Sequence, residues 1–353
     1  MAENILSVQD LHTSFTTDHG EVMAVNGVTF NLEEGKTLGI VGESGSGKSV
    51  TAYSIMQILE KNGSIKSGKV LFRGEDITKW PESKMRDFRG KKCSIIFQDP
   101  MTSLNPVFTI GWQLEEAIKL HTDRKGKAAE ERAIEMLKLV GVNEPEKRIH
   151  QYPFEFSGGM RQRVMIAMAL ACEPDILIAD EPTTALDVTI QAQILELMKD
   201  LQKKMGMAII IVTHDLGVIA QMADEIIVMY GGRVCERGTA EDIFYRPAHE
   251  YTKGLLRSIP SVDKIGQRLV PISGTPINLL NLPKGCAFCP RCDAAMKICL
   301  EQVPPETRTV DGHLASCWMA VKKEAEAGMI NFTGDSGRSL KADDTARAGS
   351  GKD

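Results

Sequence analysis

The chain has 353 residues, of which 42% are hydrophobic and 25% are charged, so it can bury a large core and form about two or three domains. The formal net charge of -5 gives no overall positive field, and we therefore do not expect nucleic acid as a partner. The first residues carry an acid and no basic segment before an apolar stretch, so we expect no secretory signal. No uncharged run approaches the roughly eighteen residues that span a bilayer, so other chains would have to form any membrane pore.

Residues 1 to about 90 have the pattern of β-strands separated by glycine turns. Over Gly68–Gly74, for example, apolar residues alternate with charged residues or turns. This alternation predicts strands.

The residues from Gly42 to Ser49 have the pattern G-x-x-x-x-G-K-S and follow the apolar run 37–41. A strand, a glycine-rich loop and a helix N-terminus in this order predict a phosphate-binding loop, because backbone N–H groups and the helix dipole favour an anion. Lys48 would reach the β- and γ-phosphates of a nucleotide, and the Ser49 hydroxyl would bind Mg²⁺. The loop residues that we expect to bind the nucleotide are Gly42, Ser44, Gly45, Gly47, Lys48 and Ser49.

Between about residue 100 and residue 170 the pattern changes to helices. Ala133, Leu137 and Val140 recur at helical spacing in a charged background that ends at Gly141. This spacing predicts a helix with one buried stripe and a glycine at its C-terminus.

A second candidate anion site lies near the end of this helical region. Gly158 and Gly159 come just before the amphipathic run 160–171, which predicts an exposed helix N-terminus that can bind an anion. Ser157 is also suited to cap that helix, and the two roles are compatible.

From residue 174 to residue 240, runs that predict strands alternate with runs that predict helices. The first run, Ile176–Ala179, has no polar alternation, as expected for a parallel strand covered on both faces. The predicted order is strand 176–179, helix 189–205, strand 208–212, helix 215–222, strand 225–229 and a hairpin at Gly231–Gly232. This alternation predicts a parallel sheet with helices on its faces.

Two carboxylates follow the first of these strands. Asp180 would hold Mg²⁺ directly or through water, and Glu181 would orient or deprotonate an attacking water. Such a run taken alone is more often a core strand followed by a solvated acidic turn. Asp187 and His214 follow further along, and His214 comes after strand 208–212, where a γ-phosphate sensor is needed, which favours the catalytic interpretation.

With these segments in this order, the chain resembles the ATP-binding cassette (ABC) ATPases, whose S-G-G signature corresponds to Ser157–Gly159. The resemblance covers about the first 255 residues. It implies an α/β P-loop NTPase cassette, with a RecA-like core, an antiparallel β subdomain and a helical subdomain. Segment 95–100 resembles the Q-loop, which implies that Gln98 contacts the metal or the attacking water, and Asp187 is counted with the nucleotide-binding residues. Phe15 aligns with the aromatic residue that stacks on adenine, and its alternative interpretation is a core phenylalanine on the first strand.

Segments 101–106, 249–256 and 285–292 resemble the peptide and nickel importer branch of this family. The resulting domain prediction is an ABC ATPase domain over 1–257, with its helical subdomain at about 100–170, and a small Cys-rich, metal-binding C-terminal domain over 258–320. The Gly-, Ser-, Asp- and Lys-rich composition of 321–353 predicts a disordered tail.

Five of the eight cysteines lie in a short C-terminal window, and in a cytosolic chain this density favours a metal over disulfides. The spacing of Cys286, Cys292, Cys299 and Cys317 matches the cluster-bearing members of the resembled family, which implies a [4Fe–4S] cluster on these thiolates. Cys289 departs from the family pattern and is an additional candidate ligand. Zinc is the alternative, and a domain without metal is the third interpretation. The remaining cysteines are expected to be core residues: Cys93, Cys172 and Cys235.

The resemblance implies a peripheral ATPase at the cytoplasmic face of the inner membrane that hydrolyses ATP with Mg²⁺. The nucleotide would lie between this chain's phosphate loop and Asp180–Glu181, the Walker A and Walker B segments of the family, and the S-G-G loop of a second, homologous ATPase in a head-to-tail heterodimer. The other implied partners are two membrane-spanning permease subunits and an extracytoplasmic substrate-binding protein. The expected cargo is oligopeptides or dipeptides, with nickel and glutathione as alternatives because other chains select the cargo. A soluble non-transport ABC ATPase and a redox-sensing Fe–S protein are the alternatives from other classes.

Overall fold

The computed structural model describes residues 4–184, 186–259 and 271–328. The strands in this part of the chain are β1 (Asn4–Thr17), β2 (Gly20–Glu33), β3 (Thr37–Val41), β4 (Gly63–Phe72), β5 (Glu75–Asp76), β6 (Cys93–Ile96), β7 (Ile176–Asp180), β8 (Ala208–Thr213), β9 (Glu225–Tyr230), β10 (Arg233–Gly238), β11 (Thr307–Arg308) and β12 (Leu314–Ala315). The helices are α1 (Lys48–Met56), α2 (Glu82–Lys91), α3 (Pro100–Ser103), α4 (Ile110–His121), α5 (Lys127–Leu139), α6 (Pro145–Arg148), α7 (Gly158–Leu170), α8 (Val188–Met205), α9 (Leu216–Met222), α10 (Ala240–Tyr245), α11 (Glu250–Arg257), α12 (Lys297–Glu301) and α13 (Trp318–Glu326). None of the helices in the described ranges combines the length and the hydrophobicity that crossing a membrane requires.

The N-terminal strands form a four-stranded antiparallel sheet in the order β2-β1-β4-β5. Its strands have one buried face because apolar and polar residues alternate, as in β2, where Val28, Phe30 and Leu32 are buried and the residues between them are exposed. These side chains share a core with Leu38 of β3 and Ile55 of α1. The sheet corresponds to the antiparallel β subdomain that the sequence predicts.

The larger sheet has the order β11-β12-β10-β9-β3-β8-β7-β6, and β9, β3, β8, β7 and β6 are parallel to one another. Every residue of β8 is buried, because alternate residues belong to two different cores. Ile209 and Ile211 pack with the helices that include α7 and α8, whereas Ile210 and Val212 pack with α1 and the antiparallel sheet. The continuous apolar runs of the sequence therefore reflect burial on both faces of this sheet.

The predicted order of strands and helices from 174 to 240 is confirmed, and each element ends within about one residue of its predicted boundary. At the predicted hairpin, β9 and β10 pair antiparallel. Gly231 and Gly232 have φ of 58° and 78°, the positive values that a two-residue turn between twisted strands requires.

Helices α3 to α7 follow one another between β6 and β7. Their stability comes from a shared apolar core, to which α5 contributes Ala133 and Leu137 and the residue after it contributes Val140, all fully buried. The chain leaves α5 through Gly141, which has φ of 77°. The amphipathic stripe and its glycine terminus are confirmed.

The C-terminal region pairs directly with the cassette. Strand β12 pairs with β10, and β11 pairs with β12, so both extend the large sheet. The buried carboxylate of Glu236 on β10 accepts hydrogen bonds from the backbone N–H groups of Ala248 and His249 at 2.6 and 3.0 Å and from His313 Nε2 at 2.9 Å. A buried carboxylate with several hydrogen bonds, such as that of Glu236, fixes the position of the segments that it connects.

The predicted disordered tail differs from the structure at its start. Helix α13 covers Trp318–Glu326, and Val321 within it is fully buried. The polar composition of this segment did not predict a helix, because only a few apolar side chains are needed to anchor the inner face of the helix. Residues 329–353, the larger part of the predicted tail, lie outside the described residues.

Candidate active site

The phosphate-loop sequence lies between β3 and α1, where two of its glycines have no room for a side chain. A Cβ at Gly42 would lie 2.2 Å from the carbonyl oxygen of Met229, and a Cβ at Gly47 would lie 2.3 Å from that of Ala24. Gly47 also has φ of 99°, a region that other residues avoid. The two fixed glycines of the pattern are therefore required by the close approach of other backbone segments.

Lys48 begins α1 and folds back over the loop. Its ammonium donates hydrogen bonds to the carbonyl oxygens of Gly42 at 2.8 Å and Glu43 at 2.9 Å. Burial lowers the pKa of Lys48, and the nearby carboxylates of Glu181 and Asp180 oppose that shift. The loop thus holds a buried cation that an anionic ligand would stabilise.

Asp180 ends β7 beside Ser49, as the two predicted Mg²⁺ ligands require. The Ser49 hydroxyl donates to Asp180 Oδ1 at 2.9 Å, and the Tyr53 hydroxyl donates to Oδ2 at 2.9 Å. Burial raises the pKa of Asp180, and these hydrogen bonds oppose the shift. Tyr53 was not among the predicted site residues, although its position four residues after Ser49 places both side chains on one face of α1.

The three predicted catalytic side chains meet at Glu181. Gln98 Nε2 donates to Glu181 Oε2 at 2.8 Å, and His214 Nδ1 lies 3.0 Å from Oε1. The Thr184 hydroxyl also donates to Oε2 at 2.9 Å. Gln98 therefore contacts the carboxylate that follows β7, and its predicted contact with Mg²⁺ stays a prediction.

The backbone of Glu181 is held in an uncommon conformation, with φ of 49°. Its N–H donates to the carbonyl oxygen of Val212 on β8 at 2.7 Å, which continues the sheet for one further residue before the chain turns. The side chain is mostly shielded, whereas 57% of the His214 side chain is exposed. The carboxylate thus has a fixed position, and the imidazole has a face open to a ligand.

The S-G-G segment begins α7. The Ser157 hydroxyl accepts a hydrogen bond from the N–H of Met160 at 3.4 Å, so Ser157 is the N-cap that the sequence allows. Gly159 packs closely on α8, since a Cβ at this glycine would lie 2.8 Å from the Ile190 side chain. Asp187 caps α8 by accepting from the N–H of Ile190 at 3.0 Å. Any contact of Ser157, Gly158, Gly159 or Asp187 with a nucleotide stays a prediction.

Phe15 lies on β1, where it is partly buried beside Gly63 of β4. A Cβ at Gly63 would lie 2.6 Å from the Phe15 ring, so this ring covers a glycine of the neighbouring strand. Both interpretations of Phe15, adenine stacking and strand packing, fit this position.

Comparisons with known proteins agree with this geometry. Residues 25–184 match the family model described as ABC transporter, and residues 235–299 match the one described as oligopeptide/dipeptide transporter, C-terminal region. The dipeptide transport ATP-binding protein DppD of Bacillus subtilis is 53% identical over 326 residues, which is 92% of this chain and 97% of that protein. The oligopeptide transport ATP-binding protein OppD of Escherichia coli is 50% identical over 91% of this chain and 95% of its own length.

This chain belongs to the ABC transporter ATPases, in their oligopeptide/dipeptide branch. It is an ATP-binding subunit that couples ATP hydrolysis to transport, and ATP and Mg²⁺ are the nucleotide and metal of this family. A solved relative, the ATP-binding cassette MJ0796 in a dimeric post-hydrolysis state with ADP and Pi, has a TM-score of 0.60 and 28% identity, covering 67% of this chain and 98% of that one. The α/β cassette fold that the sequence predicts is confirmed.

The C-terminal cysteines of this ABC ATPase gather in space. Cys289 and Cys299 are buried in one cluster with Trp318, against which Cys286 and Cys292 pack. Burial raises the pKa of Cys286 and Cys292 to about 12 and that of Cys299 to about 11, so these thiols are neutral near pH 7. The eight cysteines are all free.

The predicted metal-binding character of this domain is not supported. Within the described ranges, no group of three or more His, Cys, Asp or Glu side chains is placed to hold a metal ion. Sequence spacing identified thiols that converge, but it could not give the distances between their sulfur atoms. The prediction that Cys235 is a core residue is confirmed. Burial raises its pKa, and the thiols of Cys286 and Cys317 lie close enough to raise it further.

Proposed function

We propose that this ABC ATPase subunit powers the import of oligopeptides or dipeptides and that Gln98, Glu181 and His214 form its catalytic group. The observation that carries this mechanism is the convergence of the amide and the imidazole on the two oxygens of one carboxylate, at 2.8 and 3.0 Å. Such a carboxylate is held in position to orient a water molecule and to accept its proton. In this role His214 contacts the γ-phosphate through the exposed part of its ring.

The residues beside this group supply charge stabilisation. Lys48 and the backbone N–H groups of the loop bind the phosphates, which matters most when negative charge develops on the transferred group. Ser49 and Asp180 are the residues that would hold Mg²⁺, since an ionised carboxylate and a hydroxyl are oxygen ligands of the kind this cation prefers. When bound there, the cation would supply positive charge that offsets the negative charge of the phosphates.

The second half of each nucleotide site comes from a partner ATPase in this proposal. Ser157 and Gly158 are exposed at the N-terminus of α7, a helix of 13 residues, where backbone N–H groups and the helix dipole favour a phosphate. A head-to-tail heterodimer with a homologous subunit would bring this surface to the partner's phosphate loop. Because the partner's contacts with the γ-phosphate form only on closure, ATP favours the closed state and hydrolysis removes that preference.

The membrane subunits bind the helical side of the cassette in this proposal. A groove of about 370 Å³ lies between β6 and the helices α3, α4 and α7. It is lined mainly by apolar side chains that include Ile95, Phe97, Leu104, Ala117, Met165 and Met168. Phe97 is 40% exposed and adjoins Gln98 in the chain, so a short apolar helix in this groove would contact a residue next to the proposed catalytic group.

The cargo assignment is tested by uptake into lipid vesicles that contain the assembled transporter and its extracytoplasmic binding protein. We expect ATP-dependent accumulation of a labelled dipeptide or pentapeptide, and no accumulation with a non-hydrolysable nucleotide analogue. Nickel and glutathione are assayed in parallel with the same vesicles. Accumulation of either of these without peptide uptake would contradict the peptide assignment. Supporting this proposal, relatives with 50% and 53% identity are named for oligopeptide and dipeptide transport.

We further propose that the converging thiols hold a [4Fe–4S] cluster, with Cys286, Cys292, Cys299 and Cys317 as ligands and zinc as the alternative metal. The support is that Cys286 and Cys292 pack against the cluster that buries Cys299, and that Cys317 lies close enough to add to the rise in pKa that burial causes in all three. Soft thiolates are also the ligands that such clusters require. Because burial keeps the thiols neutral, cluster binding must release protons and adjust their positions.

Anaerobic purification followed by iron, sulfide and zinc analysis tests this metal assignment. We expect equal amounts of iron and acid-labile sulfide in the wild-type protein, their loss in Cys292→Ser and their retention in Cys172→Ser. Cys172 is a suitable control because it lies in the helical region, with its thiol directed to the carbonyl oxygen of Ala117 at 3.7 Å. Zinc without sulfide would favour the alternative, and metal-free protein would refute both.

A further inference from the structure

A contact that the mechanism does not use connects the C-terminal region to the phosphate loop. The guanidinium of Arg291 forms a bidentate ion pair with the carboxylate of Glu43, with N–O distances of 2.6 and 3.0 Å. Glu43 is the residue after Gly42 in the loop. Arg291 ends the short helical turn Cys289–Arg291 and lies between Cys289 and Cys292 in the sequence. The two residues are 248 positions apart in the sequence.

Arg291 is itself held rigidly. Its side chain is only 5% exposed, and its Nε donates to the carbonyl oxygen of Ser273 at 3.0 Å. One of its terminal nitrogens also donates to the Tyr230 hydroxyl at 3.3 Å, and its guanidinium carbon lies 5.9 Å from the centre of the Phe288 ring. A planar guanidinium that is fixed in this way imposes its geometry on the carboxylate that it binds.

Every polar group of Glu43 has a partner in the described structure. Its N–H donates to the Tyr251 hydroxyl at 2.8 Å, its carbonyl oxygen accepts from Lys48 at 2.9 Å, and its carboxylate binds Arg291. The next two residues, Ser44 and Gly45, are exposed. Glu43 is therefore the anchored end of the part of the loop that has to surround phosphates.

We propose that Arg291 is a positioning residue for the phosphate loop and that, through its ion pair with Glu43, the C-terminal region sets the affinity for ATP. This inference rests on the proposed role of residues 42–49. When Lys48 turns to the phosphates, it gives up the carbonyl of Glu43, and the remaining side-chain anchors of Glu43 are Tyr251 and Arg291. A loop that is held in its binding conformation loses less entropy when it binds the nucleotide. Any rearrangement of Cys289 or Cys292 would also move Arg291, since they adjoin it in the chain.

The experiment measures the Kd of a fluorescent ATP analogue for the full chain and its variants. We expect Arg291→Ala to raise Kd on the order of tenfold, within the usual range of coupling between two sites. Glu43→Ala should raise Kd by the same factor, and the double variant should be no weaker than either single variant, because both remove one contact. Arg291→Lys should restore affinity only in part, because lysine cannot bind both oxygens in one plane.

Two controls distinguish a failure of the Arg291 proposal from a failure of the phosphate-loop assignment. Arg308→Ala removes another arginine of the C-terminal region, one that is exposed and donates to the carbonyl oxygen of Gly312 at 2.8 Å, and it should leave Kd unchanged. Lys48→Ala should raise Kd at least about 10-fold, and wild-type binding by that variant would refute the assignment of the phosphate loop itself. Weakened binding in Lys48→Ala together with wild-type Kd in Glu43→Ala refutes only the role of Arg291. If Arg291→Ala does not fold, Glu43→Ala still tests the same contact from the loop side.

Discussion

Replacing Glu181 with Gln is expected to lower the ATPase kcat of the assembled transporter about a thousandfold while leaving ATP binding intact, since a positioned general base contributes roughly 10² to 10⁴ in rate. Glutamine has the same shape, so it can keep contacts with Gln98 and His214 that now lie at 2.8 and 3.0 Å. It cannot accept a proton from water near neutral pH. The change should therefore act on the chemical step and trap the closed, ATP-bound dimer.

The measurement pairs steady-state phosphate release with nucleotide binding in the same preparation. Glu196→Gln is a matched control, because Glu196 is an exposed glutamate on α8 and should tolerate the same change without effect. Normal steady-state hydrolysis by Glu181→Gln would show that another group activates the water. A parallel loss of ATP affinity would instead indicate that the carboxylate is needed to hold the loop and β7 together.

The proximity of the three proposed catalytic residues could be predicted from the sequence because they lie at the ends of strands. Gln98, Glu181 and His214 all follow runs of apolar residues, and the carboxyl ends of parallel strands lie along the same edge of a sheet. The strand assignments therefore predict that these side chains lie near one another, because continuous apolar runs indicate parallel strands that are covered on two faces. The role of Gln98, in contrast, came from the resemblance of segment 95–100 to the Q-loop.

The contacts of the C-terminal region could not be predicted in the same way. The pairing of β12 with β10 and the ion pair of Arg291 with Glu43 join segments that no local pattern relates. A two-residue strand such as Leu314–Ala315 has too few positions for alternation to be visible. The cysteines are an intermediate case, because their spacing indicated convergence but left the sulfur positions undetermined.

Replacing Lys48 with Met is expected to weaken ATP binding about 10- to 100-fold, the range for loss of hydrogen bonds from a charged donor. The free energy of unfolding should nevertheless fall by less than about 1 kcal/mol, because the two effects on stability oppose each other. Methionine loses the hydrogen bonds to Gly42 and Glu43, but it removes a buried ammonium and keeps an apolar stem of similar length. ATP binding thus requires the ammonium at position 48, whereas its burial opposes the stability of the fold.

One of the two opposing effects follows from the pKa of Lys48, which burial lowers. A lysine whose pKa is lower in the folded chain than in the unfolded chain destabilises the fold at every pH below the folded value, and this penalty is relieved as the pH rises from the folded value to the unfolded value. Chemical denaturation of Lys48→Met at pH 7, with Lys36→Met for comparison, measures the change in the free energy of unfolding. Lys36 is a suitable reference because it is 51% exposed and pairs with Asp224 at 3.1 Å. A loss of several kcal/mol in Lys48→Met would mean that the ammonium stabilises the loop even without phosphate. Unchanged stability with weakened binding would instead identify Lys48 as a residue retained for its ligand.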